Sequence, residues 1–178
     1  TTVVTITNDE APTFSIVPTA SVTEPDGAGT VALTVSLSPT SGTDQTITVN
    51  TTAGTATAGS DFTAISGGEV TVLANAASAT VSVTILPDTL DEADETFSVV
   101  LSSPPAGTLL SGTANTATVT ITDDDVNPTV SVSTASISQS EGNASNNITF
   151  QANLSTASGQ SVTVGFATQV GTASGTTD

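Results

Sequence analysis

Apolar and polar residues alternate along most of this chain with a period of two, the signature of strands buried on one face. Val31, Leu33, Val35 and Leu37 alternate with Ala32, Thr34, Ser36 and Ser38, and Ala79, Val81, Val83 and Ile85 alternate with Thr80, Ser82 and Thr84. Phe97, Val99 and Leu101 continue the pattern, as do Val119 and Ile121, and later Ile148, Phe150, Ala152 and Leu154. No helical stripe interrupts it. Turn signals such as Pro25-Asp26-Gly27, Ser66-Gly67-Gly68 and Ser103-Pro104-Pro105 separate the runs. Short strands punctuated in this way predict an all-β fold, a β-sandwich of about seven strands.

The pattern also repeats. Val4-Thr5-Ile6-Thr7-Asn8-Asp9-Glu10-Ala11-Pro12-Thr13 reads against Val119-Thr120-Ile121-Thr122-Asp123-Asp124-Asp125-Val126-Asn127-Pro128-Thr129, with one residue inserted before the proline. Val31-Ala32-Leu33 matches Ile148-Thr149-Phe150, Glu24 matches Glu141, and Gly54-Thr55-Ala56…Asp61 matches Gly171-Thr172-Ala173…Asp178. An offset of about 115 residues predicts tandem domains. Residues 1–10 read as the last strand of a preceding repeat, 11–125 as a complete repeat, and 126–178 as the first half of a following one. Neither end of the chain then marks a domain boundary.

Charge changes the picture most. The 178 residues carry 17 Asp and Glu but no Lys, Arg or His, for a formal net charge of −17. An acidic chain poor in aromatics can be disordered. Here 36% of the residues are hydrophobic and they keep a strict period, which predicts folding. No internal salt bridge can form, so crowded carboxylates must be solvated, capped by backbone amides, or neutralised from outside. Nucleic acid and anionic membrane surfaces are disfavoured as partners, since affinity for both comes largely from Lys and Arg. The absence of Cys and His disfavours zinc and copper sites and leaves oxygen ligands, hence hard cations. No apolar run long enough to span a membrane occurs, nor a signal-peptide pattern.

The acids gather at predicted strand ends and turns: Asp88-Thr89-Leu90-Asp91-Glu92-Ala93-Asp94-Glu95, then Asp123-Asp124-Asp125, with Glu24 and Asp61 alone. Isolated acids such as Asp44 and Glu69 read as solvated loop charges. Three consecutive carboxylates beside a second acid-rich loop repel one another, and calcium relieves this with six to eight oxygen ligands in a flexible cage that suits magnesium less well. The spacing is not that of an EF-hand, which needs its ligands and a central glycine within one loop between two helices.

Three blocks in order, Gly54-Thr55-Ala56…Gly59-Ser60-Asp61-Phe62, Ile85-Leu86-Pro87-Asp88…Glu92…Glu95-Thr96-Phe97 and Thr118-Val119-Thr120-Ile121-Thr122-Asp123-Asp124-Asp125, resemble the Calx-beta motif. The resemblance covers nearly the whole chain. It implies immunoglobulin-like Greek-key sandwiches with calcium at one tip, as in the regulatory domains of sodium–calcium exchangers and in arrays of bacterial surface proteins. The ligands it implies are Glu24, Asp61, Asp88, Glu92, Asp123 and Asp125, flanked by Asp124 and Glu95. Asp9 and Glu10 would belong to the tip of the preceding repeat, and Glu141 and Asp178 to that of the following one. Where the family often has two adjacent acids this chain has Pro87-Asp88, which implies fewer or weaker calcium sites.

Catalysis is disfavoured: the acids lie on loops without sugar-stacking aromatics, and no His or Cys is present to activate a nucleophile. Three roles follow: a calcium-stiffened rod or filament segment of a secreted or surface adhesin, a calcium-sensing regulatory module, or a filament subunit completed by a neighbour's strand. Its partners would be neighbouring repeats or identical subunits, and its location extracellular or at the cell surface. The Asn-X-Ser/Thr sequons at Asn50, Asn143, Asn147 and Asn153 read as chance matches in so Ser/Thr-rich a chain.

Overall fold

The computed structural model describes residues 3–4, 10–133, 136–140 and 146–172. Most of the anticipated strand of residues 1–10, including Asp9, lies outside the described residues, as do Glu141, Asn143 and Asp178. Two compact units are present, Thr1–Thr89 with Ala93–Asp124, and Leu90–Glu92 with Asp125–Asp178. Among the described residues every regular element is a strand.

The first unit is a sandwich of nine strands: β1 (Thr13–Ile16), β2 (Thr19–Thr23), β3 (Gly29–Ser38), β4 (Gln45–Ala53), β5 (Gly68–Val72), β6 (Ser78–Ile85), β7 (Glu95–Ser102), β8 (Leu109–Leu110) and β9 (Thr116–Thr122). One sheet has the order β6-β3-β1-β8 and the other β2-β9-β7-β4-β5. The expectation of about seven strands falls short for a definite reason. The first anticipated strand is two, because Val17-Pro18 carries the chain from one sheet to the other: β1 runs antiparallel to β3, and β2 parallel to β9. Proline has no N–H to give a ladder and suits such a crossing. The two-residue β8 pairs parallel with β1 and is too short to show a periodic pattern.

The alternating residues face inward as anticipated. Val31, Leu33, Val35 and Leu37 of β3, Val81, Val83 and Ile85 of β6, Phe97, Val99 and Leu101 of β7, and Val119 and Ile121 of β9 are all buried in one core. Their polar neighbours face out, and register is fixed because a one-residue slip would turn every apolar side chain to water. Near one end of the core Phe62 and Phe97 stack, ring centroids 4.2 Å apart and planes 12° from parallel.

In the second unit β10 (Val130–Val132) pairs antiparallel with β11 (Ala152–Leu154). The register Val130↔Leu154 and Val132↔Ala152 reproduces Phe14↔Leu37 and Ile16↔Val35 of the first unit under the sequence repeat. The strand anticipated from Ile148 to Leu154 is confined to its last three residues, and Ile148 and Phe150 are exposed. In the first unit β3 is held by β6 from Gly29 to Ser36, whereas no strand pairing involves residues 146–150 among the described residues.

Phe62→Ala removes a fully buried, stacked ring and is expected to cost about 3–5 kcal/mol in urea unfolding. Leu73→Ala, at a side chain 63% exposed, should stay within about 0.5 kcal/mol. Equal effects of the two would contradict this placement of the core.

Candidate functional site

Three loops and two strand ends bring acids to one end of the sandwich. β2 delivers Glu24, whose N–H donates to the carbonyl of Thr122 at 2.8 Å and so ties it to the end of β9. The N–H of Asp88 donates to Glu24 Oε1 at 2.9 Å. Asp123 follows β9, and its N–H donates to Asp94 Oδ1 at 3.3 Å. Glu24, Asp123 and Asp125 each offer a carboxylate oxygen within 4.8 Å of the others, and Glu24 is 9% exposed.

A second group forms beside the stacked rings. Asp61 sits in a tight turn: its N–H donates to the carbonyl of Thr57 at 3.0 Å, Thr57 N–H donates back to Asp61 Oδ2, and Leu86 N–H donates to the Asp61 carbonyl at 2.9 Å. The turn depends on Gly59, whose φ of 93° is one that side-chain-bearing residues rarely adopt. Phe62 anchors the turn in the core next to Asp61, and Phe97 anchors β7 two residues after Glu95. Asp61, Glu92 and Glu95 thereby bring carboxylate oxygens within 4.8 Å of one another.

Two unit negative charges about 5 Å apart repel by about 1 kcal/mol in water and by about 3 kcal/mol at the effective dielectric of a protein surface. Three such pairs occur in each group. The chain has no Lys, Arg or His to offset them, so any compensating cation comes from solution. Carboxylate-only donors, without nitrogen or sulfur, suit a hard ion.

The Calx-beta domain model matches residues 7–125 and again 123–178. The chain belongs to the Calx-beta domain family.

Among solved structures, the apo form of the Calx CBD1 domain is similar at 26% identity and a TM-score of 0.59, over 65% of this chain and all of that one. CBD12 from CALX1.2 is similar at 26% identity and a TM-score of 0.57, over 64% of this chain and 46% of that one. The calcium binding domain CBD12 of CALX1.1 is similar at 28% identity and a TM-score of 0.54, over 64% and 44%. The chain thus spans less than half of either CBD12 structure. No curated protein matches the chain.

Of the acids singled out in this Calx-beta chain, six fall into the two groups: Glu24, Asp123 and Asp125, and Asp61, Glu92 and Glu95. Asp88 and Asp124 are in neither, and both are exposed. Asp88 contributes its backbone N–H to Glu24 instead. Glu10 is also outside the groups and lines a pocket with Pro12 and Gly107. Asp44 caps a turn by accepting from Ala74 N–H at 2.7 Å, and Glu69 is exposed on β5. Both remain outside the site. Asn50 is engaged on both sides of its amide, donating to Ser102 Oγ at 3.1 Å and accepting from Gly67 N–H at 2.8 Å.

Two acids carry more than the sequence pattern assigned to them. Asp94 orients Asp123 through the hydrogen bond above. Asp91 is only 5% exposed, and within the second unit it accepts from Ser158 Oγ at 2.9 Å. Their place in the run Asp91-Glu92-Ala93-Asp94-Glu95 was visible, but which members turn inward depends on the fold of the loop.

Proposed function

We propose that this chain is a non-catalytic calcium-binding module, with its ions held by Glu24, Asp123 and Asp125 and by Asp61, Glu92 and Glu95. One observation carries the reading: six carboxylates converge in two groups in a chain without a single cationic side chain. The Calx-beta family and the likeness to a structure described as a calcium binding domain support calcium over other hard cations. Bound calcium supplies the missing positive charge. The protein supplies the pre-set loops: the Glu24 and Thr122 bond, the Asp94 and Asp123 bond, and the turn built on Gly59 hold the carboxylates in place. Pro87, where the family often adds an acid, limits the number or strength of these sites.

In the wider protein, residues 11–125 form one complete repeat and 126–178 the first half of the next. The module serves as a rod or filament segment of a secreted or surface adhesin, next to neighbouring repeats or identical subunits. Calcium stiffens the tip where one repeat passes into the next. The lack of cationic side chains supports this reading, since it leaves trypsin-like proteases no cleavage site. A calcium-sensing regulatory module is the second reading, and it is favoured by the likeness to the Calx CBD1 domain.

Thermal unfolding with and without calcium tests the binding. Calcium at about 100 times its Kd adds about 2.7 kcal/mol, a rise in Tm on the order of 10 °C for a repeat of this size. Glu24→Gln keeps the acceptor for Asp88 N–H and removes one charge. Its Tm in chelator should equal or exceed that of the parent, while its calcium-induced rise falls by at least half. A calcium-insensitive Tm for the parent chain sinks the proposal. The calcium concentration at mid-rise separates the two roles, about 10⁻⁴ to 10⁻³ M for an extracellular spacer and about 10⁻⁷ to 10⁻⁵ M for a sensor. Stiffening is read by small-angle scattering: chelation should shorten the maximum dimension of the chain, and an unchanged dimension refutes it.

A further inference from the structure

At the opposite end of the first unit from the acidic tip, Glu10, Ala11, Pro12, Thr40, Ser41, Gly42 and Gly107 enclose an open pocket of about 390 Å³. The second unit shows what a site of this kind holds. With β1–β3 and β10–β11 in equivalent register, Ser41-Gly42 corresponds to Ser158-Gly159. The local geometry agrees: Thr43 N–H donates to Ser41 Oγ at 3.1 Å, and Gln160 N–H donates to Ser158 Oγ at 3.1 Å.

Within the second unit this corner grips an acid. Ser158 Oγ donates to Asp91 Oδ2 at 2.9 Å and approaches the Asp91 carbonyl at 3.3 Å, and Gly159 N–H donates to the same carbonyl at 3.1 Å. A Cβ on Gly159 would meet the Glu92 side chain, which lies against the glycine and would have to shift to make room. At Gly42 a Cβ would meet nothing within 4 Å. The first unit thus carries the same serine, the same glycine and the same N–H to hydroxyl bond, Ser41 Oγ also accepting from Gln45 Nε2 at 3.0 Å, and among the described residues the space beside Gly42 is open.

We propose that the pocket at Ser41 and Gly42 is a docking site for the acidic corner of another repeat of this kind, the counterpart of Asp91-Glu92. A hydroxyl and a backbone N–H recognise a carboxylate and its carbonyl as they do at Ser158-Gly159, through charge-assisted hydrogen bonding. Glu10 brings a like charge to the pocket, and it stands where Asp125 stands in the repeat. That repulsion is screened over about 8 Å at physiological salt. The pocket shares no residue with the two carboxylate groups, while its occupant carries the counterpart of Glu92, and the contact would give an array of these repeats a specific link from one to the next.

The test is an NMR titration of the ¹⁵N-labelled 178-residue chain in 150 mM sodium chloride. The probe is a synthetic peptide with the sequence of residues 87–95, raised to about 5 mM because a contact of two or three hydrogen bonds binds in the millimolar range. Saturable shifts are expected at Glu10, Thr40, Ser41, Gly42 and Gly107. They should fall at least fivefold with Gly42→Val, whose side chain fills the corner, and with a peptide carrying Asn in place of the acid equivalent to Asp91. Ser41→Ala provides the same loss if Gly42→Val perturbs the spectrum elsewhere. Absence of shifts at these residues, shifts that survive both variants, or equal shifts with sodium acetate, which would make it a general anion site, overturn the proposal.

Discussion

Every ionised side chain in this protein is an anion, and the fold brings six of them together at one end of a sandwich. The forces that position those carboxylates therefore have to come from neutral chemistry. The strand ladders, the apolar core and the stacked Phe62 and Phe97 rings hold the loops against a repulsion of about 1 to 3 kcal/mol per pair. Backbone amides take up part of the negative charge, as Asp88 N–H does at Glu24 and Asp123 N–H at Asp94. What remains calls for a cation from solution, and the donor set of oxygen alone suits calcium.

The scaffold explains why the acids meet where they do. The crossing at Val17-Pro18 moves the chain into the second sheet, so β2 ends beside β9 and Glu24 arrives next to Asp123. Phe62 and Phe97 are buried in the core, and the acids that precede them in sequence inherit that rigidity. Asp61 and Glu95 are thus close because two rings stack, while Glu92 joins them from the loop between β6 and β7. Glu24 is nearly buried and the other five acids are partly exposed, while the strands that carry them are anchored in the core, an arrangement that gathers carboxylate oxygens at the tip.

Much of this was legible in the sequence. β3, β6, β7 and β9 follow from strict alternation, because each packs one face on the core and one on water. The division of the first strand at Val17-Pro18 and the two-residue β8 were not legible, since both depend on which sheet a segment joins. Acid clusters stood out in the sequence, and Glu24, Asp123 and Asp125, and Asp61, Glu92 and Glu95, converge in two groups. The exposed positions of Asp88 and Asp124 and the buried one of Asp91 could not be read from spacing, because neighbours in a loop point in directions set by its turns. The repeat was legible as well, and its deeper consequence, the matching corners at Ser41-Gly42 and Ser158-Gly159, appears only once hydrogen bonds are placed.

Calcium binding by the six converging carboxylates is what the rest of the proposed function depends on. Crystals of the chain grown with calcium, with anomalous scattering used to locate the ion, test it most directly. Calcium is expected with oxygens of Glu24, Asp123 and Asp125, and of Asp61, Glu92 and Glu95, at about 2.3–2.6 Å. Calcium bound elsewhere on the chain, or a tip free of calcium at saturating concentration, would contradict it.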